Sequence, residues 1–243
     1  MFTGIVEGQG VVEALQPRGQ AHRLTIDMGG LAADVTVGDS VAIDGTCLTA
    51  VSVQGGRVDF DVIRETIERT AFATVRVKDR VNVERSMRAD GRFHGHIVSG
   101  HVDGTGRIAE RRQEPGQVLF TVEVPTRLTT LMVEKGSICI DGVSLTLVDV
   151  RPGRFSVALI PHTLEVTTLG LKPPGGLVNI EVDQLGKWVR RLLAAYVPAA
   201  AADEAADRPA TPMADGSSII VAPRAALSLT VDDLRRTGLL GDA

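Results

Sequence analysis

The sequence predicts an all-β protein: two tandem, homologous six-stranded antiparallel (Greek-key) barrels, then a C-terminal α-helix and a flexible tail. Three observations carry this. The phrase IDGTCLTAVSV from Ile43 returns as IDGVSLTLVDV from Ile140, an offset of 140 − 43 = 97. Other blocks repeat in the same order: VIRETIERT (Val62 to Thr70) with LIPHTLEVT (Leu159 to Thr167), VNVE from Val81 with VNIE from Val178, and TGIVEGQGVV from Thr3 with SGHVDGTGRI from Ser99. Each copy is also broken into short β-branched or alternating runs by Gly, Asp and Asn turn signals.

The strands of the first copy follow in order. TGIVEGQGVV opens it, HRLTIDM alternates apolar and polar, and SVAIDG leads into an Asp-Gly hairpin turn. CLTAVSV, RVDFDVI and RVNVE complete six runs, with RETIERTAF a short helical or turn excursion before the last. The second copy repeats this plan, its excursion being PHTLEVTTL. Six short strands at close spacing hide their edges best by closing into a barrel. Two copies are too few, and each too long, for a solenoid. The expected domains are 1–97, 98–197 with a helix from about 184, and 198–243 as linker and tail.

The helix is read from QLGKWVRRLLAAY, whose Leu185, Trp188, Val189, Leu192, Leu193 and Tyr196 fall at helical spacing. That stripe can pack back on its own barrel or onto another copy. Pro198 ends it. An Ala/Asp/Pro-rich linker follows, and near the end Thr230 with Asp233 resembles an N-cap pair.

Composition excludes several classes. The 243 residues are 44% hydrophobic, with net charge −4 and pI near 5.8, so no basic field draws the chain to nucleic acid or an anionic membrane. Aromatics at 3% argue against stacking platforms. No apolar run approaches the ~20 residues of a membrane span, and MFTGIVEGQG does not read as a signal peptide. Cys47 and Cys139 sit in strand-like runs, so a reducing cytoplasm is expected rather than a disulfide scaffold.

Two like barrels would carry two like pockets, suited to two copies of one ligand held face to face; duplication for stability alone is the plainer alternative. MFTGIVE, IDGTCLT, GHIVSGHVDG, IDGVSLT, IPHTLEVTTLG and VNIEVD together resemble the riboflavin synthase α-chain family, over residues 1 to about 197. The resemblance implies a dismutation. Two molecules of 6,7-dimethyl-8-ribityllumazine exchange a four-carbon unit, giving riboflavin and a ribitylaminouracil, with no cofactor and no metal. One substrate loses a 7-methyl proton and the other is attacked at C7. It further implies a homotrimer joined through the C-terminal helix, pairing the first barrel of one chain with the second of its neighbour, and lumazine synthase as a candidate partner. A chromophore-carrying lumazine protein of the same fold is the rival, and a nucleic-acid or protein-interaction module is disfavoured by charge and composition.

By strand alternation Cys47 and Thr49 share one face and Leu48 the other, as do Ser144 and Thr146 against Leu145. The resemblance places Cys47, Leu48, Thr49 and Ser144, Leu145, Thr146 along the two lumazine pockets. It adds Gly4, Ile5 and Val6 with their counterparts Gly100, His101 and Val102. The walls come from Asp61, Val62, Ile63, Arg64, Glu65 and Thr66, and from Ala158, Leu159, Ile160, Pro161, His162 and Thr163. Phe2, present before only the first copy, is placed beside the site.

Cys47 is read as a polar or nucleophilic group, and His101, Ser144 and Asp141 as further candidates for the chemical steps. Cys139 reads as core. His94 and His96 at i, i+2 superficially suit a metal, but no thiolate or carboxylate completes the set. His96 is taken instead as a proton-transfer or structural residue. Lys135 and Asp141 bracket GSICIDG; Asp44 matches Asp141, whereas Gly38 stands at the Lys135 position. That charge asymmetry hints at different duties for the two pockets.

Overall fold

A computed structural model describes residues 1–193. The first copy forms β1 (Gly8–Arg18), β2 (Ala21–Asp27), β3 (Ser40–Ile43), β4 (Thr46–Gln54), β5 (Arg57–Ile63) and β6 (Arg80–Arg85). The second forms β7 (Gly104–Glu114), β8 (Gln117–Glu123), β9 (Ser137–Ile140), β10 (Val143–Arg151), β11 (Arg154–Leu159) and β12 (Leu177–Val182). Both sets close into antiparallel barrels of the same order: β1-β2-β5-β4-β3-β6 and, in equivalent positions, β7-β8-β11-β10-β9-β12. Closure gives every strand a neighbour on both sides.

The irregularities are duplicated too. Register shifts fall at Val12/Ala14 and Ile108/Glu110, and again at Ala50/Ser52 and Leu147/Asp149. Bulges at equivalent places bend both sheets alike, as barrel closure requires. Each barrel has its own apolar core, around Leu24, Ile26, Phe60 and Val83 in the first and Ile108, Phe120, Phe155 and Ile180 in the second. The Asp-Gly turns expected at IDG take positive φ at both residues, 43° and 75° at Asp44-Gly45 and 47° and 81° at Asp141-Gly142. That is the twist a two-residue hairpin needs. The excursions are α1 (Arg64–Arg69) and α3 (Pro161–Val166); a further turn of helix, α2 (Thr126–Thr129), precedes β9.

Met1–Val189 forms one compact unit containing both barrels. The barrels meet through their Asp-Gly turns and through two asparagines. A Cβ on Gly45 would lie 2.6 Å from Gly142 N, so the turns pack back to back at a distance only glycine allows. Asn82 of β6 donates Nδ2–H to Asp141 O at 2.8 Å and accepts from Thr168 N at 2.7 Å. Asn179 of β12 donates to Asp44 O at 2.8 Å and accepts from Ala71 N at 2.7 Å. These reciprocal bonds satisfy buried backbone groups of the opposite barrel.

After β12 the chain forms α4 (Gln184–Leu193), none of whose residues is buried. Leu185, Trp188 and Val189, which belong to the same unit as the barrels, are exposed, so this part of the apolar stripe is not packed back on them. Tyr196, Pro198, the linker and the Thr230–Asp233 pair lie outside the described residues. Among those described, no helix is long and apolar enough to cross a membrane.

Candidate active site

The residues before each barrel form an arm that crosses to the other barrel. β4 parts from β5 beyond Ala50, and at the edge thus freed Cys47 N donates to Gly100 O at 2.8 Å. In the second barrel Ser144 N donates to Gly4 O at 2.7 Å. The arm glycines have positive φ, 77° and 80°, and a Cβ on either would press within 2.7 Å of Ser144 Cβ or 2.5 Å of Cys47 Cβ. Glycine is therefore required twice over, by conformation and by space. Glutamates secure the arms: Glu84 accepts from Thr3 N (2.6 Å) and Gly4 N (3.0 Å), and Glu181 from Ser99 N (2.7 Å) and Gly100 N (2.9 Å). Burial pushes both carboxyls up from their ordinary range, against the pull of these donors.

Two half-sites result. In the first, Cys47 is half-buried and Thr49 exposed, while Thr46, Leu48 and Ala50 turn inward. The arm supplies Gly100, an exposed His101 and a half-buried Val102. β5 runs antiparallel to β4 into α1, so Ile63 and Thr66 stand at the same barrel end as Cys47. In the second, Ser144 is half-buried and Thr146 exposed, with Gly4, Ile5 and Val6 from the first arm and Ile160 and Thr163 at the start of α3. Ile63 and Ile160 are each 56% exposed, an apolar pair at equivalent rims. His96 Nδ1 lies 2.7 Å from Ser144 Oγ.

Other expected site residues are placed differently. Leu48, Val62 and Leu159 belong to the barrel cores and Leu145 packs against one, so their side chains face away from the half-sites. Asp61 is ion-paired with Arg23 at 2.7 Å. Arg64 pairs with Glu68, and Glu65 with Arg69, along α1. Pro161 and His162 are exposed and Ala158 is half-buried.

Phe2, 1% exposed, packs with Ala42, Val98 and Cys139 in a small core behind Cys47. Cys139 is buried there, which pushes its thiol up. Lys135 is an exposed turn residue with φ 63° whose N–H donates to Leu147 O, as Gly38 donates to Ala50 O. Asp141 is 0% exposed, accepting from Asn179 N at 2.7 Å and paired with Lys172 at 2.9 Å. His94 is exposed and His96 buried, because HGHIVSGH is irregular rather than a strand and the i, i+2 argument does not apply. Among the described residues no three His, Cys, Asp or Glu side chains gather as a metal site.

The groups that build the scaffold lie outside the expected set: Asn82 with Asn179, Glu84 with Glu181, and Lys172. The first four were legible, since VNVE and VNIE repeat two polar residues in strands otherwise apolar. Lys172 had no such signal, because Val75 stands at its place in the first copy. The half-sites are open faces. A cavity of about 430 Å³ adjoins Thr3, Ile5, Ser40 and His94, and another of about 540 Å³ adjoins Glu110, Arg112 and Asp149; neither includes Cys47 or Ser144.

The lumazine binding domain family matches residues 3–86 and 99–183, together more than half of the chain. A riboflavin synthase of Actinobacillus pleuropneumoniae is 42% identical over 193 residues, covering 79% of this chain and 90% of its own. That of Bacillus subtilis is 41% identical with the same coverage, and that of Mycobacterium bovis 43% over 197 residues, covering 79% of this chain and 98% of its own. Among solved structures, LumP in complex with 6,7-dimethyl-8-(1'-D-ribityl)lumazine superposes with a TM-score of 0.68 at 23% identity, covering 75% of this chain and 99% of that one. LumP with riboflavin gives 0.70, likewise at 23%. At that identity LumP shows the shared fold alone, whereas the closer relatives and the twice-matched domain show the lineage: the chain belongs to the riboflavin synthase family and carries the lumazine binding domain twice.

Proposed function

We propose that this chain is an enzyme of the transferase class that converts two molecules of 6,7-dimethyl-8-ribityllumazine into riboflavin and 5-amino-6-(D-ribitylamino)uracil. The observation that carries the reading is the crosswise construction of two complete half-sites, one per barrel, on a chain of this family. A carrier of one chromophore needs one such face; exchange of a four-carbon unit between two identical molecules needs two. The atoms of two substrates equal those of the two products, so neither water nor an oxidant enters the balance.

The half-sites use small polar groups on strands, Cys47 with Thr49 and Ser144 with Thr146, facing a flat heterocycle whose edge offers donors and acceptors. Ile63 and Ile160 supply apolar surface for the ring. The ring system itself delocalises the carbanion left when the 7-methyl proton departs. The protein's share is then to hold two rings in opposed orientation and to exclude alternatives. His101, Cys47 and Ser144 are assigned to the open faces, where they can touch a ligand. Asp141 is assigned to the scaffold, since its carboxylate is committed to Asn179 and Lys172.

Bringing two open faces together calls for a second copy. The exposed stripe Leu185, Trp188, Val189 and Leu192 suits a homotrimer joined through α4, with the first barrel of one chain against the second of the next. We place the chain in the cytoplasm, in keeping with its free cysteines.

The test is to mix the purified full chain with 6,7-dimethyl-8-ribityllumazine and follow riboflavin absorbance. Riboflavin and the aminouracil appear in equal amounts, and Leu192→Asp abolishes assembly and turnover together. Substrate that binds and fluoresces but is never converted overturns the enzyme reading in favour of a carrier. Full turnover by a monomer overturns the assembly.

A further inference from the structure

We infer that His96 is a positioning residue that holds the Ser144 hydroxyl as a hydrogen-bond donor to the ligand of the second half-site, a device the first half-site lacks. The inference rests on the functional reading above and deepens it, since it gives the two half-sites different chemistry.

The geometry begins with the segment leading into the second arm. It runs antiparallel beside the first arm: Phe2 N donates to Val98 O at 2.8 Å, Val98 N to Phe2 O at 3.2 Å, and His96 N to Thr3 O at 3.1 Å. Gly95 permits this approach, because a Cβ there would collide with Thr3 O and sit 3.1 Å from Ser144 Cβ. The imidazole is thus fixed by backbone on one side and by Ser144 Oγ, 2.7 Å from Nδ1, on the other. At the equivalent place in the first half-site, no side chain among the described residues hydrogen-bonds the Cys47 thiol.

A serine beside a histidine invites a nucleophile–base reading. The surroundings speak against it. His96 is 8% exposed, and its Nε2 is buried with no partner among the described residues. Burial pushes the ring's pKa down, opposed only by the charge of Asp183 at the end of β12. Asp183 does not bond the ring; its Oδ1 accepts from Leu185 N. An imidazolium formed here would lack the carboxylate that steadies it in hydrolytic triads.

The neutral ring has two tautomers. With the proton on Nε2, a buried N–H would be orphaned; with the proton on Nδ1, only a lone pair is. Orphaned buried N–H groups are the rarer case. The network therefore assigns Nδ1–H as donor to Ser144 Oγ, leaving the hydroxyl proton free to turn to the open face where Ser144 is half-exposed. Protonation of the ring would keep that same Nδ1–H bond, so the arrangement is insensitive to His96 titration.

Four variants test this: His96→Phe, His96→Asn, Ser144→Ala and the His96→Phe/Ser144→Ala double. His96→Phe lowers kcat about tenfold, the loss of one oriented hydrogen bond. His96→Asn places an amide N–H2 near the Nδ1 position, recovers kcat to within about threefold, and keeps the wild-type pH profile. The double variant loses no more than Ser144→Ala alone, because His96 acts through that hydroxyl.

If His96→Asn is as impaired as His96→Phe and removes an acid limb from the profile, His96 carries protons and the inference falls. Additive losses in the double variant overturn it as well. Should the wild type form no riboflavin, the functional reading fails separately, and the same variants are read by fluorescence titration with 6,7-dimethyl-8-ribityllumazine. Weaker binding in His96→Phe restored by His96→Asn upholds the positioning role; equal affinities overturn it.

Discussion

The same Asp-Gly turn closes a hairpin at the heart of each barrel, yet the two aspartates live differently. Asp44 and Asp141 share positive φ, the hydrogen bond from an asparagine N–H at 2.7 Å, and nearly complete burial. Among the described residues only Asp141 is paired directly with a cation, Lys172 Nζ at 2.9 Å, where the first copy has Val75. Burial, then the charge of Asp141, push Asp44 up to about 8 against the opposing charge of Lys172, a shift that favours its protonated form. Burial raises Asp141 too, but Lys172 pulls it back. Burial alone would lower Lys172; Asp141 and Asp44 outweigh that and hold it above its ordinary range. Two charges of one sign cannot sit this close in a dry interface unless one is neutralised. The duplicated frame solves the problem once with a cation and once with a proton.

The largest expected effect breaks that arrangement. Lys172→Met leaves Asp141 buried without its partner and costs about 3 kcal/mol at neutral pH, read by urea unfolding. The loss shrinks at acid pH as Asp141 takes a proton, and Asp141→Asn in the same chain recovers most of it. If Lys172→Met is silent, the ion pair does not decide the asymmetry.

Next come the asparagines, which test the symmetry itself. Asn82→Ala and Asn179→Ala each strand a buried carbonyl and a buried N–H of the opposite barrel, a loss of about 2 kcal/mol apiece. Equal losses uphold a two-fold scaffold. A clear inequality, by the same unfolding assay, shows that one barrel depends on the other more than the reverse.

The last test concerns Asp44 alone and reads a dependence on pH rather than a loss at one pH. Unfolding returns it to its ordinary value of 3.8, so between 3.8 and about 8 the folded chain keeps a proton that the unfolded chain has lost. Stability is therefore full below that window and falls as pH rises through it, by at most ~1.4 kcal/mol per pH unit. Asp44→Asn removes this slope. A stability curve equally steep in the variant assigns the slope to other groups, with Glu84 and Glu181 next in line because burial raises them in the same direction.

The architecture was legible because it is local and repeated. Alternation in CLTAVSV and RVDFDVI, the Asp-Gly turns and the offset of 97 each constrain the backbone over a few residues, and the second copy confirms the first. The same alternation told Cys47 and Thr49 from Leu48 and Ser144 from Leu145. What it could not tell was the crossing of the arms. Which barrel receives Gly4 or Gly100 depends on how two closed cylinders meet, since their partners Ser144 and Cys47 lie far away in the sequence.

The sequence by itself determined two like barrels, their turns and the polar faces of the paired strands, since periodicity and backbone preference act at short range. Only the tertiary structure decided that Phe2 sits behind Cys47, that Lys172 rather than Lys135 supplies the cation for the second copy's buried aspartate, and that His96 meets Ser144. Those facts depend on burial and on partners 45, 31 and 48 residues apart by subtraction of their numbers (47 − 2, 172 − 141, 144 − 96), where electrostatics and packing across an interface outweigh any local preference.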